Sequence, residues 1–123
     1  MLRMMMIGAA AGALLLGTSH ALWLNPGVSL GASEARVVTD YYAEKGRCAP
    51  GRRGSDCSRS GRRGTNYALG KVLSRKVVVR RLPGELVEEL PKLNEGYEYA
   101  IVDGDLGILE RRTQKLVDVV SLG

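Results

Sequence analysis

Two cysteines and a surrounding group of arginines are the side chains in this sequence whose types and spacing carry the clearest chemical consequence. Cys48 and Cys57 lie in Gly-Arg-Cys-Ala-Pro-Gly-Arg-Arg-Gly-Ser-Asp-Cys-Ser-Arg-Ser-Gly-Arg-Arg-Gly, residues 46–64, where five glycines and a proline interrupt a chain almost free of apolar side chains. Such a composition has too little apolar surface to bury itself and reads as a loop. A zinc or redox site calls for closer cysteine spacing or further ligands, and neither is present. With no third cysteine, one intramolecular bridge can form, and an intermolecular bridge is the rival reading. Closing so short a loop would restrain the unfolded chain by up to about 3 kcal/mol in the loop-entropy model. Arg52, Arg53, Arg59, Arg62 and Arg63 then form a basic patch, read either as a partner-binding surface or as a solvated tether that folds back onto acidic residues elsewhere.

The other chemically capable residues argue against catalysis. The sole histidine, His20, falls in a segment expected to be removed, so the mature chain would carry no imidazole. That removes Ser-His-Asp and Cys-His nucleophiles together with the commonest transition-metal ligand. Glu85, Glu88 and Glu89 share one face of a short helical turn, where carboxylates are ordinarily solvated charges. Asp103 and Asp105 flank a hairpin turn and could in principle hold a cation, but such turns use Asp for backbone reasons. The expectation is therefore a non-enzyme with no cofactor and no metal ligand set.

These residues need elements to hold them. Val37, Val38, Tyr41 and Tyr42 recur on one helical face, so a short helix is expected from an N-cap at Ser33 through Glu34 to about Glu44, with Gly46 as its stop. The β-branched run Val77-Val78-Val79, bounded by Gly70 and Pro83, predicts a strand. Pro83 to Leu90 predicts a turn of helix with Leu86, Val87 and Leu90 on its inner face. Residues 97–102 and 105–110 flank Asp103-Gly104, a hairpin signal, and Leu116 to Val120 returns after a polar connection. The fold class is thus α+β: a short N-terminal helix, a disulfide-closed basic loop, and a small antiparallel meander of three to four strands with a short helical turn. With no Phe and one Trp, the five tyrosines must supply most of the large apolar surface.

The N-terminus has the proportions of an export signal. Arg3 precedes an apolar stretch from Met4 to Leu16, and Ser19 and Ala21 place small side chains at the two positions a signal peptidase reads. Cleavage after Ala21 is expected, with an uncleaved inner-membrane anchor as the alternative because apolar residues resume at Leu22-Trp23-Leu24. The organisation is then signal 1–21, spacer 22–32, helix and basic loop 33–65, and a small β-rich domain 66–123. Cleavage leaves room for one small domain in an oxidising, periplasmic compartment.

Charge is unevenly distributed. The formal total is +5, yet residues 45–81 hold twelve Lys/Arg against Asp56, while residues 82–123 hold nine acids and four bases. A basic middle suits an envelope protein, anionic lipid or polysaccharide as partner. Nucleic acid is excluded by the compartment and by the lack of interleaved aromatics in the basic run.

In order along the chain come Cys-Ala-Pro-Gly-Arg-Arg-Gly-Ser-Asp-Cys, Tyr-Ala-Leu-Gly-Lys-Val-Leu, Val-Val-Val-Arg-Arg-Leu-Pro-Gly-Glu-Leu-Val-Glu-Glu-Leu-Pro, Glu-Gly-Tyr-Glu-Tyr-Ala-Ile-Val-Asp-Gly-Asp-Leu-Gly-Ile-Leu-Glu and Leu-Val-Asp-Val-Val. This series resembles the RcnB-like family, whose members include nickel/cobalt efflux accessory proteins and CigR-type antivirulence proteins. The resemblance implies a periplasmic protein that modulates nickel and cobalt homeostasis beside an efflux transporter, without being a metal enzyme. The alternative is a basic envelope-surface protein that binds anionic lipid or polysaccharide with no metal role.

The signal predicts that the mature protein starts near Leu22 and fractionates with the periplasm. N-terminal sequencing checks this, and an intact Met1 in the membrane pellet supports the anchor instead.

Overall fold

The computed structural model describes residues 25–59 and 66–123. The expected export signal, His20, Arg62 and Arg63 lie outside the described residues. No helix among the described residues is long and apolar enough to cross a membrane.

Helix α1 runs Ala32–Glu44 and begins two residues before the expected start. Its N-cap is Gly31 and not Ser33, because Glu34, at the third helical position, reaches back to accept the Gly31 N–H at 2.8 Å. Val38, Tyr41 and Tyr42 are buried on the face that the apolar spacing defines. Gly46, at φ +73°, closes the helix in a conformation that costs glycine little, and its N–H bonds the Ala43 carbonyl.

The remaining elements are β1 Arg52–Arg53, β2 Ser58–Arg59, β3 Val79–Arg81, the single helical turn α2 Gly84–Val87, β4 Tyr97–Val102, β5 Asp105–Glu110 and β6 Lys115–Val120. β1 and β2 form a separate two-stranded ribbon, while β3-β4-β5-β6 is one antiparallel sheet in chain order. The β4–β5 hairpin closes on Asp103-Gly104 with Val102 opposite Asp105, and both turn residues have positive φ, +49° and +86°. That is the type I′ geometry, whose twist matches that of the strands it joins.

The expected fourth strand starts at Val79 and not Val77. Val77 turns inward in a tight turn closed by its N–H on the Ser74 carbonyl, and it is buried. Val87, expected on the inner face of its helical turn, is exposed, while Leu86 and Leu90 are buried. A turn of four residues is too short to bury a full stripe.

The sheet separates two apolar layers. On one face α1 and α2 pack through Val38, Tyr41, Tyr42 and Leu86 onto Tyr97, Tyr99, Ile101, Leu106 and Ile108. On the other, a strap of residues 66–78 lays Tyr67, Leu73 and Val77 over Ala100, Val102, Leu109 and Leu116. The strap also extends the sheet beyond β6, with Gly70 and Leu73 N–H groups on the Leu116 and Gln114 carbonyls. Gly107 lies beneath it because a Cβ there would come 2.9 Å from Leu116 Cδ1 and 3.2 Å from Val102 Cγ2. The β5–β6 register shifts between Ile108, opposite Asp118, and Leu109, opposite Leu116, so Val117 is the extra residue of a bulge.

From Asn25 onward the expected spacer is not a free tether. Val28 and Leu30 pack against the helix-side core, and the Leu30 N–H donates to Asp118 Oδ2 at 2.8 Å. Desolvation raises the pKa of Tyr41, Tyr42, Tyr97 and Tyr99 above the ordinary tyrosine value. Their linked stability is full below that value and is lost as pH rises through the raised ones.

Ile108 is fully buried between α1 and the sheet. Ile108→Ala is expected to cost about 2–5 kcal/mol, read as a lower urea midpoint at unchanged m-value.

Candidate functional site

The loop between the cysteines is folded by one buried arginine. Cys48 and Cys57 are bridged within the chain, with Cα atoms 5.4 Å apart. Between them Ala49-Pro50-Gly51-Arg52 forms a β-turn, closed by the Arg52 N–H on the Ala49 carbonyl at 3.0 Å. Proline presets φ at its second position and Gly51, at φ +87°, takes the third. The turn places Arg52 opposite Arg59 in the β1–β2 ribbon and aims the Arg52 side chain inward.

Arg52 reaches the β4–β5 hairpin turn. Its Nε donates to the Gly104 carbonyl at 2.8 Å and its Nη2 to Asp105 Oδ1 at 2.7 Å. The two side chains are 5% and 1% exposed, so this is a buried ion pair. Nη1 donates to the Cys57 carbonyl at 3.3 Å, which ties the guanidinium back to its own loop. Tyr67 Oη donates to the other carboxylate oxygen of Asp105 at 2.7 Å. Both oxygens of Asp105 are thus hydrogen-bonded, the condition under which a buried ion pair is tolerated.

Backbone contact seals the junction. A Cβ on Gly51 would lie 3.0 Å from the backbone N and Cα of Gly104, and one on Gly104 would lie 3.2 Å from the Gly51 carbonyl oxygen. The neighbouring Asp103 holds both ends of the strap, with Oδ2 accepting the Asn66 N–H at 3.0 Å and Oδ1 the Val78 N–H at 2.9 Å. At Asp105 the cation is therefore the chain's own guanidinium.

The basic patch divides accordingly. Arg52 is withdrawn from it by burial, a correction to the expectation that grouped it with exposed cations. Arg53 is exposed on β1, and Arg59 pairs through its backbone in β2. Most of the described loop is exposed, as its composition implies, and it is held to the fold at two buried residues, Ala49 and the ionic anchor Arg52. The signal available in the sequence was Asp105, an acid directly before the apolar run Leu106-Gly107-Ile108-Leu109. No local pattern linked it to Arg52, since the two are 53 positions apart.

Elsewhere, Glu85 accepts a hydrogen bond from Tyr41 Oη at 2.9 Å and lies 3.7 Å from Lys45 Nζ. Both partners of that ion pair are well exposed, so it contributes little to stability. Glu88 and Glu89 are exposed as expected. Among the described residues no group of three or more His, Cys, Asp or Glu side chains is placed to hold a metal ion.

No family model matches the sequence, and no curated protein does. The likeness is structural: the solved C-terminal domain of inner membrane protein CigR from Salmonella enterica aligns with a TM-score of 0.51 and 20% identity, covering 70% of this chain and 78% of that one. The chain has a CigR-like fold. In this CigR-like fold the α+β architecture read from the sequence is present, with one long helix, a four-stranded antiparallel sheet and the Cys48–Cys57 bridge.

Arg52→Ala is expected to destabilise the protein by about 3–5 kcal/mol, because Asp105 would be left buried without its cation. Arg52→Lys should recover only part of this, since one ammonium cannot reproduce the planar set of contacts to Gly104, Asp105 and Cys57. Urea unfolding of both variants checks it, and a loss within 1 kcal/mol for Arg52→Ala, roughly a surface effect, would contradict it.

Proposed function

We propose that this protein is an exported envelope accessory protein of the RcnB-like type, working without catalysis through a protein partner and modulating nickel/cobalt homeostasis or another envelope process. The observation that carries this reading is a CigR-like fold closed by an intramolecular disulfide. Structural disulfides persist in oxidising compartments, and the N-terminal sequence has export-signal proportions. A solved structure of similar fold is a domain of an inner membrane protein. An inner-membrane or envelope protein, such as a metal efflux transporter, is the partner class that fits.

Direct metal chemistry is not part of this reading. The bridged cysteines have no thiolate to offer, and the carboxylates at the hairpin turn are engaged by Arg52, Tyr67, Asn66 and Val78. Exposed carboxylates such as Glu88 and Glu89 are hard oxygen donors, which hold Ni²⁺ or Co²⁺ weakly beside imidazole or thiolate. An effect on metal tolerance would then pass through the transporter. Arg53, with Arg59, Arg62 and Arg63, is the part of the chain assigned to partner contact.

Cross-linking and pull-down of the full chain from intact envelopes tests the proposal. A stoichiometric partner that survives moderate salt is expected, whereas salt-labile retention without preference would replace it with non-specific surface binding. Calorimetry of tag-free oxidised protein with Ni²⁺ or Co²⁺ should show only weak association. A one-to-one site of micromolar or better affinity would give the protein a direct metal role instead.

A further inference from the structure

We propose that the outer surface of the strap and β3 is a docking face for an anionic lipid bilayer, through residues distinct from the cysteine-loop arginines. Residues 66–81 contain Lys71, Arg75, Lys76, Arg80 and Arg81 and no Asp or Glu. All five cations are exposed, and none makes an ion pair among the described residues. Between them stand Leu69 and Val72, each 57% exposed, Val78 at 52% and Val79 at 37%. These are four of the five large apolar side chains exposed among the described residues, gathered in one short stretch.

The fold explains why they cannot turn inward. The strap already spends Tyr67, Leu73 and Val77 on the sheet, so its remaining side chains face solvent. Both strap ends are pinned to Asp103, which fixes this outer surface relative to the sheet. The opposite layer has the opposite charge. α1, its cap Lys45 and the α2 segment through Glu89 carry Glu34, Asp40, Glu44, Glu85, Glu88 and Glu89 against Arg36 and Lys45. The strap side thus carries Lys71, Arg75 and Lys76 among its aliphatics with Arg81 beside them, while Arg80 turns to the helix side with Ile101. The helix layer is acidic on balance, so an anionic plane would attract the first side more than the second.

A bilayer fits this face better than an acidic protein. Protein interfaces centre on aromatic and arginine anchors seated in pockets. Here the apolar groups are separate small aliphatics flanked by long cationic stems, the pattern of the headgroup boundary. Stems lie along apolar surface there while their charges meet phosphate. This inference goes beyond the partner-binding reading and stands or falls without it.

The test uses the full chain with vesicles of equal parts phosphatidylglycerol and phosphatidylcholine, against pure phosphatidylcholine. Hydrogen exchange read by mass spectrometry should show slowed exchange in residues 66–81 with the anionic vesicles only, and none in α1. In vesicle sedimentation, Arg75→Gln/Lys76→Gln should bind about tenfold or more weakly, as two cations near an anionic surface predict. Leu69→Ser/Val72→Ser/Val78→Ser should also lose about tenfold through lost apolar burial. These positions are exposed, and circular dichroism confirms that the fold is kept. The apolar segment from Met4 to Leu16 is common to all variants, so its contribution cancels in the comparison. Equal protection by neutral vesicles, protection elsewhere only, or unchanged binding of either variant overturns the proposal. Poly-glutamate that protects the same residues and displaces the vesicles also overturns it, giving the face to an acidic protein.

Discussion

The buried pair between Arg52 and Asp105 is the constraint on which the assembly of this chain depends. Its two members come from regions that share no secondary structure, one a glycine-rich loop and the other the first residue of a core strand. The type I′ turn beside it makes the arrangement feasible, because it presents the Gly104 carbonyl, the Asp105 carboxylate and the Asp103 carboxylate within three consecutive residues. Through those groups the turn holds the cysteine loop, the strap and, by way of Arg52 and Ser121, the last residues of the chain. A loop with almost no apolar content is thereby folded by charge and hydrogen bonds. The disulfide shortens the search and the ion pair supplies the fixed end.

What could be read in the sequence was whatever has a local period or a local stop signal. The stripe Val38, Tyr41, Tyr42 and the terminator Gly46 defined α1, and Asp103-Gly104 between alternating runs defined the central hairpin. Pro83 before Leu86 marked the helical turn, and a chain with only two cysteines restricted the bridge. The helix start was displaced because Glu34 caps from within, so the earlier Gly31 serves where Ser33 had the better side chain. β3 was displaced because Val77 packs inward before pairing begins.

The site was less legible for a physical reason. Five arginines in a polar loop look alike in sequence, yet one of them has a buried carboxylate opposite it and the exposed Arg53 does not. Pairing over 53 positions leaves no periodic trace. The strap was hidden in the same way. Tyr67, Leu73 and Val77 are six and four positions apart with Leu69, Lys71 and Arg75 exposed between them, so they form no continuous stripe and follow the path of a crossing segment. The CigR-like fold accounts for the architecture, while the charge separation across its sheet is a property of these particular residues.

The way the cysteine loop and the strap share one anchor has a consequence for how this chain tolerates change. Arg52 donates to the Gly104 carbonyl and to Asp105, while Asn66 and Val78 donate to Asp103, so both segments end on three consecutive residues. Gly51 and Gly104 also approach so closely that a Cβ on either would meet the other's backbone at 3.0–3.2 Å. The turn is therefore a shared keystone: a substitution there that an ordinary hairpin would absorb releases the cysteine loop and the strap together.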